Sequence, residues 1–99
     1  MPKYDVYRSP DGHNFLLDVQ TDLLDALNTR VVVPLLPEET APKPARILNI
    51  VVEIDGKSYV MATQFLSAVP AALLSGPTIN LSSCADEITR AIDMLFQGF

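Results

Sequence analysis

Ile47-Leu48-Asn49-Ile50-Val51-Val52-Glu53-Ile54-Asp55-Gly56-Lys57-Ser58-Tyr59-Val60-Met61-Ala62 decides the fold. Its flanks are rich in β-branched and aromatic residues, which suit a pleated, half-buried surface. Asp55-Gly56 between them is the preferred two-residue hairpin connection, because both central positions need positive φ. The stretch predicts a long strand over Ile47 to Ile54, a tight turn, and a returning strand over Ser58 to Ala62. Adjacent strands so joined must run antiparallel.

Working outward, the same pattern recurs. Lys3-Tyr4-Asp5-Val6-Tyr7 and Asn14-Phe15-Leu16-Leu17-Asp18-Val19-Gln20 read as two strands around the turn Ser9-Pro10-Asp11-Gly12, where proline presets φ and glycine accepts positive φ. Arg30-Val31-Val32-Val33-Pro34-Leu35-Leu36-Pro37 reads as a strand ended or bulged near Pro34, since proline cannot donate to a ladder. Pro37 to Pro44 holds three of the eight prolines and reads as a loop. Gln64-Phe65-Leu66-Ser67 suggests a short helical turn before Val69-Pro70. Leu73-Leu74 and Thr78-Ile79 are weaker strand candidates.

The chain closes with a helix. Ser82 and Ser83 are expected N-caps, and Asp86 and Glu87 suit the positive end of the helix dipole. Ile88, Ala91, Ile92, Leu95 and Phe96 follow the spacing of one buried face. Gly98 is the expected stop. Such an ending is either docked against the body or offered to a partner. The sum is a mainly β domain: a small antiparallel barrel with one C-terminal helix.

With 99 residues, 48% of them hydrophobic, one domain over residues 1–99 is expected, with a core that needs neither metal nor disulfide. The single cysteine, Cys84, has no intramolecular partner, so a reducing, cytoplasmic setting is expected. Neither a secretory leader nor an apolar run of membrane-spanning length is expected. The net charge of −5 and the scattered Lys and Arg residues argue against nucleic-acid binding.

Catalytic chemistry is hard to assemble. His13, the only histidine, sits beside a turn and reads as solvent-exposed rather than as a general base. Cys84 reads as a packed thiol. One His and one Cys fall short of the four ligands of structural zinc, and neither a metal nor a cofactor is expected. Asp18, Asp22 and Asp25 are three acids within eight residues; turn formers and caps are the expected role, and a hydrolytic pair the alternative. Leu23 and Leu24 adjoin on a turn, where both cannot easily face the core.

Several of these segments carry a family resemblance. Leu17-Asp18-Val19-Gln20-Thr21-Asp22-Leu23-Leu24-Asp25 resembles the "VDVQSD" segment and its two following aliphatics in the CcdB toxins. Arg30-Val31-Val32-Val33-Pro34-Leu35 resembles their arginine-to-"VIPL" strand. Met61-Ala62-Thr63 and Ser67-Ala68-Val69-Pro70 resemble their methionine-threonine and "SVP" stretches. Glu87 to Phe99 resembles their terminal helix. The order and length agree over essentially the whole chain, most weakly in Pro37 to Arg46.

The resemblance implies a CcdB/MazF-like fold, an SH3-like antiparallel barrel with a C-terminal helix, assembled as a homodimer. It implies a toxin of a type II toxin–antitoxin system, acting without catalysis. Such a toxin binds the DNA gyrase A subunit, traps the gyrase–DNA cleavage complex, and is neutralised by a CcdA-like antitoxin. The implied gyrase contacts are Leu23 and Leu24 and, along the helix end, Asp93, Phe96, Gln97, Gly98 and Phe99. Gln97 departs from the pattern, because it stands where the family has a tryptophan. Asp93 replaces an asparagine and Phe99 an isoleucine. Aromatic anchors of this kind contribute on the order of 2 kcal/mol or more at interfaces, so weakened gyrase binding is expected. The alternatives are a MazF- or Kid-like endoribonuclease, which needs an arginine-lined groove, and a non-toxic member that only binds antitoxin.

Overall fold

Residues 2–99 are described by a computed structural model. Seven strands form one antiparallel sheet: β1 (Asp5–Arg8), β2 (Phe15–Asp18), β3 (Thr29–Pro37), β4 (Val51–Ile54), β5 (Lys57–Met61), β6 (Ser67–Pro70) and β7 (Ile79–Asn80). Among the described residues a single α-helix, α1 (Ala85–Gln97), follows them. The sheet runs β4-β5-β3-β2-β1-β7, with β6 also on β3, and wraps into a nearly closed barrel.

β3 organises this sheet. Along one edge it pairs with β2. Along the other its second half pairs with β5, from Leu35↔Met61 to Pro37↔Tyr59, and its first half with β6, from Thr29↔Pro70 to Val32↔Ser67. Pro34 sits at the handover. Its carbonyl accepts from the Ala62 N–H at 2.9 Å, but it has no N–H to return the bond. The partner strand departs there through a 3₁₀ turn, Thr63–Phe65, and β6 takes over. Proline therefore does not end β3, one of the two outcomes the sequence suggested; it divides the opposite edge between two partners.

The opening stretch folds as a hairpin, with Ile54 opposite Lys57 and positive φ at both Asp55 (52°) and Gly56 (79°). Its first arm is shorter than the sequence predicts. Residues 47–49 leave the ladder and Ile47 turns left-handed, at φ 73°. The cause is Asn49. Its Oδ1 accepts from the Ala45 N–H, and its Nδ2 donates to the Met61 carbonyl and to Gln64 Oε1. The Thr63 hydroxyl donates to the Leu48 carbonyl. These side-chain bonds out-compete the ladder for the local backbone.

The first hairpin, β1–β2, forms as expected, with Val6 opposite Leu17. Thr78-Ile79 contributes to β7, whereas Leu73-Leu74 does not form a strand. Ala71–Leu73 is a 3₁₀ turn, and Leu74 packs under the sheet against Tyr7 and Val32. β6 was hidden in the sequence by its edge proline.

The main core lies on the other face of the sheet. Val6, Leu17, Val33, Leu35, Ile54 and Met61 meet Ile88 and Ala91 of α1 there. Phe15 and Tyr59 contact edge to face, with ring centres 5.1 Å apart.

α1 starts differently from the expected Ser82/Ser83 cap. Ser82–Cys84 forms a 3₁₀ turn, and the residue preceding α1, Cys84, makes no side-chain cap bond. Asn80 caps that preceding 3₁₀ turn: its Oδ1 accepts from the Ser82 N–H at 2.9 Å, and buried Leu81 anchors the turn. Asp86 and Glu87 do occupy the first turn of α1.

Candidate functional site

Two regions carry the residues that the resemblance singles out. The first is the 3₁₀ turn Asp22–Leu24, between β2 and β3. The Thr21 side chain accepts from the Leu23 N–H, an ST-turn that starts the turn. Leu23 is 92% exposed, Leu24 48% and Leu27 50%. Leu23 and Leu24 therefore do not pack into the core. Leu27 joins them on the same turn, its N–H donating to the Leu24 carbonyl at 3.1 Å. Sequence reasoning missed Leu27, although its spacing from Leu23 and Leu24 was a usable signal.

Beneath this turn lies Arg30, whose side chain is fully buried. Its Nε donates to Asp18 Oδ2 at 2.8 Å, and Nη2 lies 2.8 Å from the same oxygen. Nη1 reaches Asp25 Oδ1 at 3.2 Å, and Nη2 lies 3.6 Å from Asp22 Oδ1. Nη2 also donates to the Gln20 carbonyl at 3.3 Å. Burial pulls the guanidinium pKa down, but the hydrogen bond and charge of Asp18, with Asp25 and Asp22, outweigh it and leave it above the ordinary value. The cluster thus keeps its cation at any pH compatible with the fold. Burial and the carboxylates of Asp5 and Asp18 push the nearby Tyr7 phenol up.

The three acids are therefore neither a hydrolytic pair nor only caps; they are the counter-charges of one buried cation. The signal was present in the sequence as a lone Arg just after three Asp residues. Gln20 adds a neutral brace. Its Nε2 donates to the carbonyls of Leu24 and Thr29, and its Oε1 accepts from the Val31 N–H.

The second region is the last turn of α1. The helix is docked by Ile88 and Ala91, fully buried, and by half-buried Ile92. Toward its end it leaves the core. Phe96 is 67% exposed and Phe99 83% exposed. The sequence placed Phe96 on the buried face. The barrel does not reach that far along the helix, so the apolar stripe outlasts the surface it packs on. Gly98 stops α1 as expected, left-handed at φ 81°, with its N–H donating to the Met94 carbonyl at 3.1 Å. Gln97 is exposed, its Nε2 3.5 Å from Asp93 Oδ1.

Asp93, Gly98 and Phe99 line an open pocket of about 340 Å³ together with Ile47, Arg90 and Met94. Phe96 and Gln97 stand outside its lining. Ile47 was not legible as a site residue, because a β-branched residue is the last expected in left-handed backbone. Leu23 and Leu24 belong to a different element from this pocket.

The residues weighed for chemistry lie apart. His13 is exposed in the turn after β1. Its backbone N–H donates to Asp11 Oδ1, and Asp11 is held below the usual carboxylate range by the Ser9 hydroxyl and by that N–H. Cys84 is half-buried against the core. Among the described residues no three His, Cys, Asp or Glu side chains are disposed to hold a metal ion. Nor is any helix among them long and apolar enough to cross a membrane.

The barrel, the closing helix and the order of their segments fit one family. Its model, described as CcdB protein, matches residues 3–98. The match spans both the leucine-bearing turn and the aromatic end of α1, and the chain belongs to the CcdB family.

Proposed function

We propose that this protein is the toxin of a type II toxin–antitoxin system, one domain that acts as a homodimer by binding and not by catalysis. Family membership suggests the toxin role. The finer reading is that it binds the DNA gyrase A subunit and traps the gyrase–DNA cleavage complex, and that a CcdA-like antitoxin neutralises it. Leu23, Leu24, Asp93, Phe96, Gln97, Gly98 and Phe99 form the gyrase surface in this reading.

The observation that carries it is the exposure of Phe96 and Phe99 at a helix end whose backbone is fixed by Gly98. Large apolar side chains exposed to water have a use at an interface, where aromatic anchors dominate binding energy. The endoribonuclease alternative loses its one candidate, because Arg30 is fully buried and ringed by carboxylates and offers no cation to RNA. The alternative of a member that binds only antitoxin keeps one observation in its favour, Gln97 in the tryptophan position.

Trapping of cleaved DNA by purified gyrase is the test. The protein should trap detectably but less than tryptophan-bearing relatives. Gln97→Trp should strengthen trapping by roughly 30-fold, the equivalent of about 2 kcal/mol. No trapping by either form would favour the antitoxin-only reading. Potency equal to the relatives would remove the role given to the missing tryptophan.

A further inference from the structure

We propose that Arg30 is the positioning residue for the apolar knob formed by Leu23, Leu24 and Leu27. The inference deepens the gyrase reading of that surface and rests on it. Leu23 is almost wholly in water, so packing does not hold it. The backbone of its turn is secured from below. Arg30, rooted in β3, spans three points of the connection: the Gln20 carbonyl at its start, Asp22 in its 3₁₀ turn and Asp25 at that turn's end. Asp18 on β2 fixes the guanidinium from the opposite side through Nε and Nη2.

Asp22 ties in the start of the chain as well, its Oδ1 accepting from the Lys3 N–H at 2.8 Å. One planar, permanently charged fork thus sets the position of a loop whose leucines are exposed to solvent. Arginine suits this and lysine does not, because a single ammonium cannot reach several acceptors in a fixed plane. A rigid display lowers the ordering cost of binding, so the residue acts on affinity through the leucines.

Asp25→Asn is the informative variant, since Asp25 is half-exposed and its loss leaves the buried Arg30–Asp18 pair in place. Hydrogen exchange of the free protein reads the loop. The amides of Leu24, Asp25 and Leu27 should exchange about two- to fivefold faster, the range of a partly exposed ion pair, with strand amides unchanged. Arg30→Lys should release the same amides further, and Arg30→Lys combined with Asp25→Asn no more than Arg30→Lys alone.

A double-mutant cycle on gyrase affinity reads the function. Asp25→Asn and Leu23→Ala should be non-additive, whereas Asp25→Asn and Phe99→Ala should add. Unchanged loop exchange would overturn the proposal, because Gln20 would then suffice. Faster exchange spread over the strands would overturn it in favour of general stability, and additivity with Leu23→Ala would also overturn it. If the unsubstituted protein binds no gyrase, the functional reading fails by itself, and the exchange of the loop still decides the positioning role.

Discussion

The Leu23–Leu24 turn and the Phe96–Phe99 helix end both hold apolar side chains in water, and they do it by opposite means. The turn stands directly over the most charged part of the interior, with Arg30 and Asp18 fully buried below it. The helix end has no such foundation. It is a cantilever, fixed at Ile88 and Ala91, stiffened by its own hydrogen bonds and stopped at Gly98. Electrostatics can place a loop that lacks regular structure, whereas a helix carries its geometry outward from wherever it is packed. Damage to the buried Arg30–Asp18 foundation should therefore propagate into stability, while damage at the helix tip should remain local.

The largest effect should come from the foundation of the turn. Arg30→Met leaves Asp18 as an uncompensated buried carboxylate and should cost about 3–5 kcal/mol in denaturant unfolding. A cost near zero would mean that the knob is held by Gln20 and the backbone alone, and the contrast would collapse. Next comes the fixed part of the helix. Ile88→Ala should cost about 2–5 kcal/mol by opening a cavity between α1 and the barrel, read as a lowered midpoint with unchanged slope.

A smaller effect belongs to the cap. Gly98→Ala has open space around its Cβ but must adopt φ near 81°, so it should lose about 1 kcal/mol, confined to exchange in the last turn of α1. The smallest belongs to the tip. Phe99→Ala should move stability by less than about 0.5 kcal/mol, yet weaken gyrase binding by tenfold or more, about 1.4 kcal/mol. A marked loss of stability with Phe99→Ala would show that the tip is docked and not displayed.

Much of this was legible in advance where the deciding chemistry is local. Asp55-Gly56 fixes a two-residue turn, and Gly12 and Gly98 mark positive φ without reference to anything distant. The helical spacing of Ile88, Ala91 and Ile92 marks a packed face. Leu23 and Leu24 could be singled out as adjacent leucines on a turn, and Phe96 and Phe99 as aromatics beside a helix stop. What was misread depended on side chains outside the segment being read. Ile47 to Asn49 looked like strand until Asn49 met Met61 and Gln64, fifteen residues away at most. Ser82 and Ser83 looked like caps until Asn80 took the role.

The sequence by itself determined the antiparallel class, the positions of the tight turns, the closing helix and the family-like residues of both displayed regions. The first three follow from backbone preference or periodicity within a few residues; the last rests on the family resemblance. Only the tertiary structure decided that Phe96 leaves the core, that Pro34 divides one edge of β3 between β5 and β6, and that three aspartates converge on one buried arginine. Those outcomes depend on where the barrel ends and on which side chains the sheet brings into register. Distances across a fold, unlike turns and periods, are written in no single segment of the chain.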